Sequence, residues 1–203
     1  MPFFSRILIA ALCALALALG ASAARAQAGG EAQPAPKAQD QDDTYTQEEI
    51  LSKARTFFGD VTEGLAKAVE KAFADQGRPN GFIEGEEGSG AIGVGLRYGS
   101  GKLNLKSGPS GTQVYWQGPS IGFDIGGNAS KVFTLVYNLK EPDQLFQRFP
   151  GVDGSLYIVA GIGLNYQKSG DITLAPIRTG VGLRAGASVG YLHYTRKKSW
   201  IPF

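Results

Sequence analysis

The chain has 203 residues, of which 29 are glycine, one is cysteine and one is histidine, and its formal charge is +2. That length holds one domain with appendages or one larger domain, and the charge falls far short of the dense basic stripe that nucleic-acid binders carry. With one cysteine and one histidine, a zinc site of the usual ligand set is excluded, and the sequence points to no metal and no cofactor.

Arg6 is followed by an unbroken apolar run from Ile7 to Leu19 and then by small residues ending in Ala24-Arg25-Ala26. This is the order of a secretory signal peptide over residues 1–26. The run is shorter than the roughly 20 residues a membrane-spanning helix needs, so an integral membrane protein is not expected. Leu12 stands before Cys13, where lipid attachment wants a small residue. Cleavage then removes the only cysteine together with Arg6 and Arg25, leaving a secreted protein without disulfides and with a formal charge of zero. Residues 27–45 are rich in Gly, Pro, Ala, Gln and Asp and nearly free of large apolar side chains. They cannot bury enough surface to offset their ordering entropy and read as a disordered linker.

Thr46 with Glu49 forms a capping box. Ile50, Ala54, Phe57, Val61, Leu65, Ala68, Ala72 and Phe73 then recur at steps of three and four, so 46–77 is an amphipathic helical segment. Gly59-Asp60 marks a break within it. From about residue 78 the period becomes two. Ile92, Val94, Leu96 and Tyr98 alternate with glycine or arginine. The same alternation recurs at Leu103–Leu105, Ile121–Ile125, Leu156–Leu164 and Val181–Tyr191. These are half-buried strands. Turn signals at Gly99-Ser100-Gly101, Gly108-Pro109, Gly118-Pro119, Gly126-Gly127-Asn128, Asp153-Gly154 and Ser169-Gly170-Asp171 separate them, and Pro142 opens a helical turn before Leu145. About eight to ten short-linked strands predict a mainly β fold over 78–203. The expected form is a small antiparallel barrel or closed sandwich with one or two N-terminal amphipathic helices. In these runs the glycines fall opposite the large apolar residues, which either permits curvature and helix docking or leaves a bare strip for a ligand.

No residue set has the pattern of an active site, so no catalytic residues are expected. His193 has no nucleophile elbow before it. Glu84, Glu86 and Glu87 are the densest carboxylates, and Glu84 and Glu86 share one face of an extended segment. They suit an acid/base pair or cation site, or a charged edge that blocks unwanted pairing. Arg97, Asp124 and Arg184 lie on the glycine side of their strands, placed to pair with one another or to hold an anionic headgroup. Tyr115 and Trp116 suit a sugar platform, or a buried tryptophan.

The runs Gly95-Leu96-Arg97-Tyr98-Gly99-Ser100-Gly101, Gly118 to Lys131 and Trp200-Ile201-Pro202-Phe203 resemble the EipA family of alphaproteobacterial envelope integrity proteins. The resemblance implies a periplasmic small β-barrel with associated helices that keeps the envelope sound. Its partner would then be an unidentified envelope lipid, glycan or protein. A weaker similarity of Gly180 to Tyr191 to SYLF lipid-binding domains implies a lipid-binding alternative, and a glycan-active enzyme using Glu84 and Glu86 stands further off.

Overall fold

The computed structural model describes residues 43–124, 130–179 and 190–199, with only the backbone path given for 89–94 and 120–124. Two helices open it, α1 (Gln47–Phe58) and α2 (Glu63–Gln76). Thr46 accepts from the Glu49 amide at 3.2 Å while Glu49 accepts from the Thr46 amide at 2.8 Å, completing the predicted capping box. Gly59 ends α1 in the left-handed conformation (φ 91°), which a side chain would strain, and its N–H donates to the Arg55 carbonyl. The break therefore falls where Gly59-Asp60 predicts it.

Among the described residues nine strands form one antiparallel sheet: β1 (Gly81–Leu105), β2 (Ser110–Asp124), β3 (Ser130–Tyr137), β4 (Arg148–Pro150), β5 (Tyr157–Val159), β6 (Ile162–Leu164), β7 (Gln167–Ser169), β8 (Ile172–Thr179) and β9 (Tyr191–Thr195). Their order is β4-β9-β2-β1-β3-β8-β6-β5, with β7 also on β8. The sheet curls into a half-barrel, and a bridge between Gly151 and Gln167 draws the β4 and β7 ends together. A 3-10 turn at Pro142–Leu145 precedes β4, as Pro142 predicts.

The organising strand is β1. Its first part, Gly81 to Glu87, pairs with β3, and its later part, Ala91 to Asn104, pairs with β2. Between them the strand bends until it meets itself. A Cβ on Gly85 would stand 2.9 Å from the Gly101 Cα, and one on Gly101 would overlap the Glu84 carbonyl. Only glycine allows two backbones this close. Gly99-Ser100-Gly101 is therefore not a turn but the point of self-contact inside a continuous strand, and Gly118-Pro119 likewise lies inside β2. The turns at Gly108-Pro109, Asp153-Gly154 and Gly170-Asp171 do occur as turns.

Two further expectations change. Leu156–Leu164 is not one strand: Ala160 (φ 46°) and Gly161 (φ 78°) form a tight left-handed turn between β5 and β6. The glycine rule also fails at the self-contact, where Gly85, Gly99 and Gly101 share the face of Ile83, Leu103 and Leu105, because close approach rather than a bare strip requires them. The expected strand Val181–Tyr191 and the turn at Gly126–Asn128 fall almost wholly outside the described residues.

Each face of the sheet packs against a hydrophobic core along part of its length. Inside lie Ile83, Leu103, Leu105, Val114, Trp116, Val132, Leu174, Leu192 and Tyr194. Outside, Ile50, Ala54, Leu65, Ala68, Val69 and Ala72 from the helices pack on Phe82, Phe133, Leu135 and Ile177. Each fully buried Leu or Ile contributes about 1.5–3 kcal/mol. The expected linker, ending at residue 45, overlaps the domain: Thr44 and Tyr45 are buried, Tyr45 donates its amide to the Pro79 carbonyl, and its ring meets Phe82 edge-on at 5.4 Å. Tyr45→Ala should cost about 3 kcal/mol, measured as a lowered urea midpoint; an unchanged midpoint would show that Tyr45 does not belong to the core.

Candidate functional site

Two polar assemblies stand out, one inside the barrel and one on its outer surface. The inner one centres on Glu87, which alternation along β1 turns inward with Ile83 and Gly85. Its side chain is 4% exposed. Oε1 lies 2.9 Å from Arg178 Nε and 3.1 Å from Arg97 Nε, and Oε2 accepts from Trp116 Nε1 at 2.9 Å. Arg178 Nη1 also donates to Asn165 at 2.7 Å. Burial by itself raises the Glu87 pKa, but Arg178, Arg97 and the indole N–H more than offset this and hold the carboxyl below its usual value. Glu87 is thus an anion with both oxygens occupied, which suits a structural tie and not a proton-transfer group. Nearby Tyr194, pushed upward by burial, remains a neutral phenol.

This arrangement redefines two predicted site residues. Arg97 faces the interior and pairs with Glu87, not with a headgroup. Trp116 is no open sugar platform: it is 2% exposed, its ring covers Gly99 across the β1–β2 pairing and it lies 5.8 Å from Tyr194. A Cβ on Gly99 would overlap that ring. Asp124 ends β2, but its side chain lies outside the described residues, as does Arg184 altogether. Arg178 was missed. It sits on β8 in step with Ile172 and Leu174, and a cation on the apolar phase of a strand is the signal that marks it.

The outer assembly follows the line where β1 meets itself. Cross-strand pairs Tyr98–Gln117, Ser100–Tyr115 and Lys102–Gln113 stand on one face of β1 and β2. A pocket of about 270 Å³ is lined by Glu86, Tyr98, Ser100, Tyr115, Gln117 and Lys198, with Glu87 and Trp116 behind. A second of about 320 Å³ is lined by Phe57, Glu84, Glu86, Ser100, Lys102 and Gln113. Glu86 and Ser100 belong to both, so the two join into one groove. Glu84 and Glu86 both line it, from the same face of β1. Partial burial raises the Glu84 pKa, while Lys53 and Lys102 act against that rise.

His193 pairs with Gln117 and Arg148 across β9, and burial and then Arg148 lower its pKa, so it is neutral at pH 7. Among the described residues no cluster of three or more His, Cys, Asp or Glu is placed to hold a metal ion. No helix among them is long and apolar enough to cross a membrane.

Comparison with known proteins agrees with this architecture. A crystal structure of a beta-barrel-like, uncharacterized protein from Brucella abortus is 50% identical, with a TM-score of 0.72 over 79% of this chain and 99% of that one. No match was found among curated proteins. Residues 43–203 match the family model for EipA, envelope integrity protein A. The match begins where Thr44 and Tyr45 enter the core and takes in the helices, the strand self-contact and the Glu87 cluster; the chain belongs to the envelope integrity protein A family.

Proposed function

We propose that this protein acts in the periplasm without catalysis, supporting envelope integrity by binding an envelope component in the outer groove along β1 and β2. The observation that carries this reading is the ladder of aromatic, amide, hydroxyl and charged side chains at Tyr98–Gln117, Ser100–Tyr115 and Lys102–Gln113. The two helices pack elsewhere, over Phe82, Phe133 and Ile177, and leave this face lining an open groove. Binding sites combine apolar rings with a few placed polar groups in this way. The family's role in envelope integrity supplies the setting. The lipid alternative loses its footing at Arg97, whose guanidinium is committed to Glu87.

The test is complementation of a strain lacking the gene. The Tyr98→Ala/Tyr115→Ala variant, folded by circular dichroism, should plate at least about tenfold less efficiently on detergent than wild type, since tenfold corresponds to losing only about 1.4 kcal/mol of binding. Full protection by that variant would overturn the groove. Glu84→Gln/Glu86→Gln abolishes acid/base chemistry but keeps hydrogen-bonding capacity, so protection should fall by less than with the tyrosine pair. A larger loss with the glutamate pair than with the tyrosine pair would point to catalysis instead of binding.

A further inference from the structure

We propose that the groove takes a linear, uncharged oligosaccharide, seated across the point where β1 meets itself. This rests on the groove being the binding site and specifies its ligand class.

The lining chemistry selects that class. Tyr98 and Tyr115 give the groove rings with an apolar body and a polar tip, and Phe57 adds a ring at the far end. Pyranose rings present C–H faces to such surfaces and hydroxyls at their rims. Glu84 and Glu86 accept hydrogen bonds from hydroxyls, while the exposed Gln113 amide both donates and accepts. Among the described residues, Glu87 at the back of the groove is neutralised by Arg178 and Arg97, and the remaining charged lining residues are two carboxylates, Glu84 and Glu86, and two ammonium groups, Lys102 and Lys198. Such a balance attracts neither a polyanion nor a polycation. An acyl chain is disfavoured because hydroxyl, amide and charged groups alternate along the whole length, and each would be desolvated without a partner.

The geometry selects a chain over a single sugar. The three rungs run from Tyr98 to Lys102, roughly 13 Å at the usual rise per strand residue, which is longer than one pyranose ring. The self-contact of β1 at Gly85 and Gly101 brings the Glu86 and Ser100 stretches together, so the two pockets adjoin. Ser100 and Glu86, which line both pockets, are placed to bind adjacent rings.

The experiment uses the protein from residue 27 onward, titrated with chitotetraose, cellotetraose and maltotetraose and with the corresponding monosaccharides. Binding is read by calorimetry and by amide chemical shifts. At least one tetrasaccharide should bind at least about tenfold more tightly than its monosaccharide, perturb the amides of Tyr98 to Lys102 and Gln113 to Gln117, and be recovered intact. Tyr115→Ala should weaken that binding by about tenfold, the effect of losing one ring contact of about 1.4 kcal/mol. Because Tyr115 also packs on the sheet, the wild-type shift map stands as an independent readout should the variant unfold. The inference is overturned if no tetrasaccharide perturbs these amides, if the perturbed amides lie elsewhere, or if the sugar is cleaved. Should the sugars fail while the Tyr98→Ala/Tyr115→Ala variant still loses protection in cells, the ligand class is wrong and the binding groove stands. Sugar binding combined with full protection by that variant would separate the two in the opposite sense.

Discussion

Glu87→Ala should lower the stability of the domain by about 3–5 kcal/mol, because it leaves two guanidinium groups buried without their shared counter-charge. The expectation rests on the geometry: Arg178 and Arg97 both reach Oε1, and Trp116 donates to Oε2. For a domain of this size such a loss lowers Tm by roughly 10–15 °C. The penalty comes from the orphaned arginines, so Arg178→Met should recover part of it in the Glu87→Ala background, giving a coupling readable in a double-mutant cycle. A loss below about 1 kcal/mol, the level of an exposed ion pair, would mean that water reaches the cluster and the tie is weak.

The same residue sets an acid limit. Its folded pKa lies below the ordinary 4.5, so as pH falls the unfolded chain takes up the proton first. Stability contributed by the Glu87 carboxylate is fully present above 4.5 and drains away as pH drops through that value toward the lower folded one. Glu87→Gln should therefore flatten this part of the acid profile in urea titrations repeated across pH. A wild-type profile no steeper than that of the variant would contradict the shift.

Gly101→Ala should be among the most damaging single-methyl changes in the molecule. The added Cβ would meet the Glu84 carbonyl and stand 2.9 Å from the Gly85 Cα, both parts of the backbone. A side chain could swing away; main chain held by the β3 pairing at Glu84 and Gly85 cannot. Overpacking costs typically about 1–3 kcal/mol and more where relief is blocked, so about 3 kcal/mol or above is expected, a large share of an ordinary domain's stability. Gly111→Ala makes a useful contrast. No atom stands within 4 Å of its would-be Cβ, and its cost arises only from a positive φ of 77°, worth about 1–2 kcal/mol. Equal losses for the two, by chemical denaturation, would show that the self-contact of β1 is looser than described.

Legibility in the sequence followed how many faces of an element are buried. The helices bury one face each, so Ile50, Ala54, Leu65 and Ala72 appear at helical spacing and the break at Gly59 could be placed. Leu103 and Leu105 bury one face of β1 and show the two-residue period. By contrast, Val132–Tyr137 and Ile172–Arg178 are buried on both faces, so their sequences run apolar without alternation and neither strand was expected. Arg178 was lost with them. Glu87 was grouped with Glu84 and Glu86 as one acidic cluster, although alternation alone puts it on the opposite face, alongside Ile83. Glycine clusters usually punctuate turns. Gly99 and Gly101 instead record a contact between residues far apart along one strand, which no local pattern encodes. The Glu84–Glu86 pairing was legible because it needed nothing beyond the strand period.

The bridge from Gly151 to Gln167, with the Val152 amide bonded to the Tyr166 carbonyl at 2.9 Å, has a dynamic consequence. A ring fastened along most of its circumference by long ladders and at one place by a narrow clasp parts first at the clasp under thermal agitation. Glu87, Arg178 and Trp116 are carried by β1, β8 and β2, which the continuous β2-β1-β3-β8 ladder holds together. Water admitted through the parted clasp would thus find the inner ions still joined. The half-barrel can loosen at this edge while the ions at its centre stay joined.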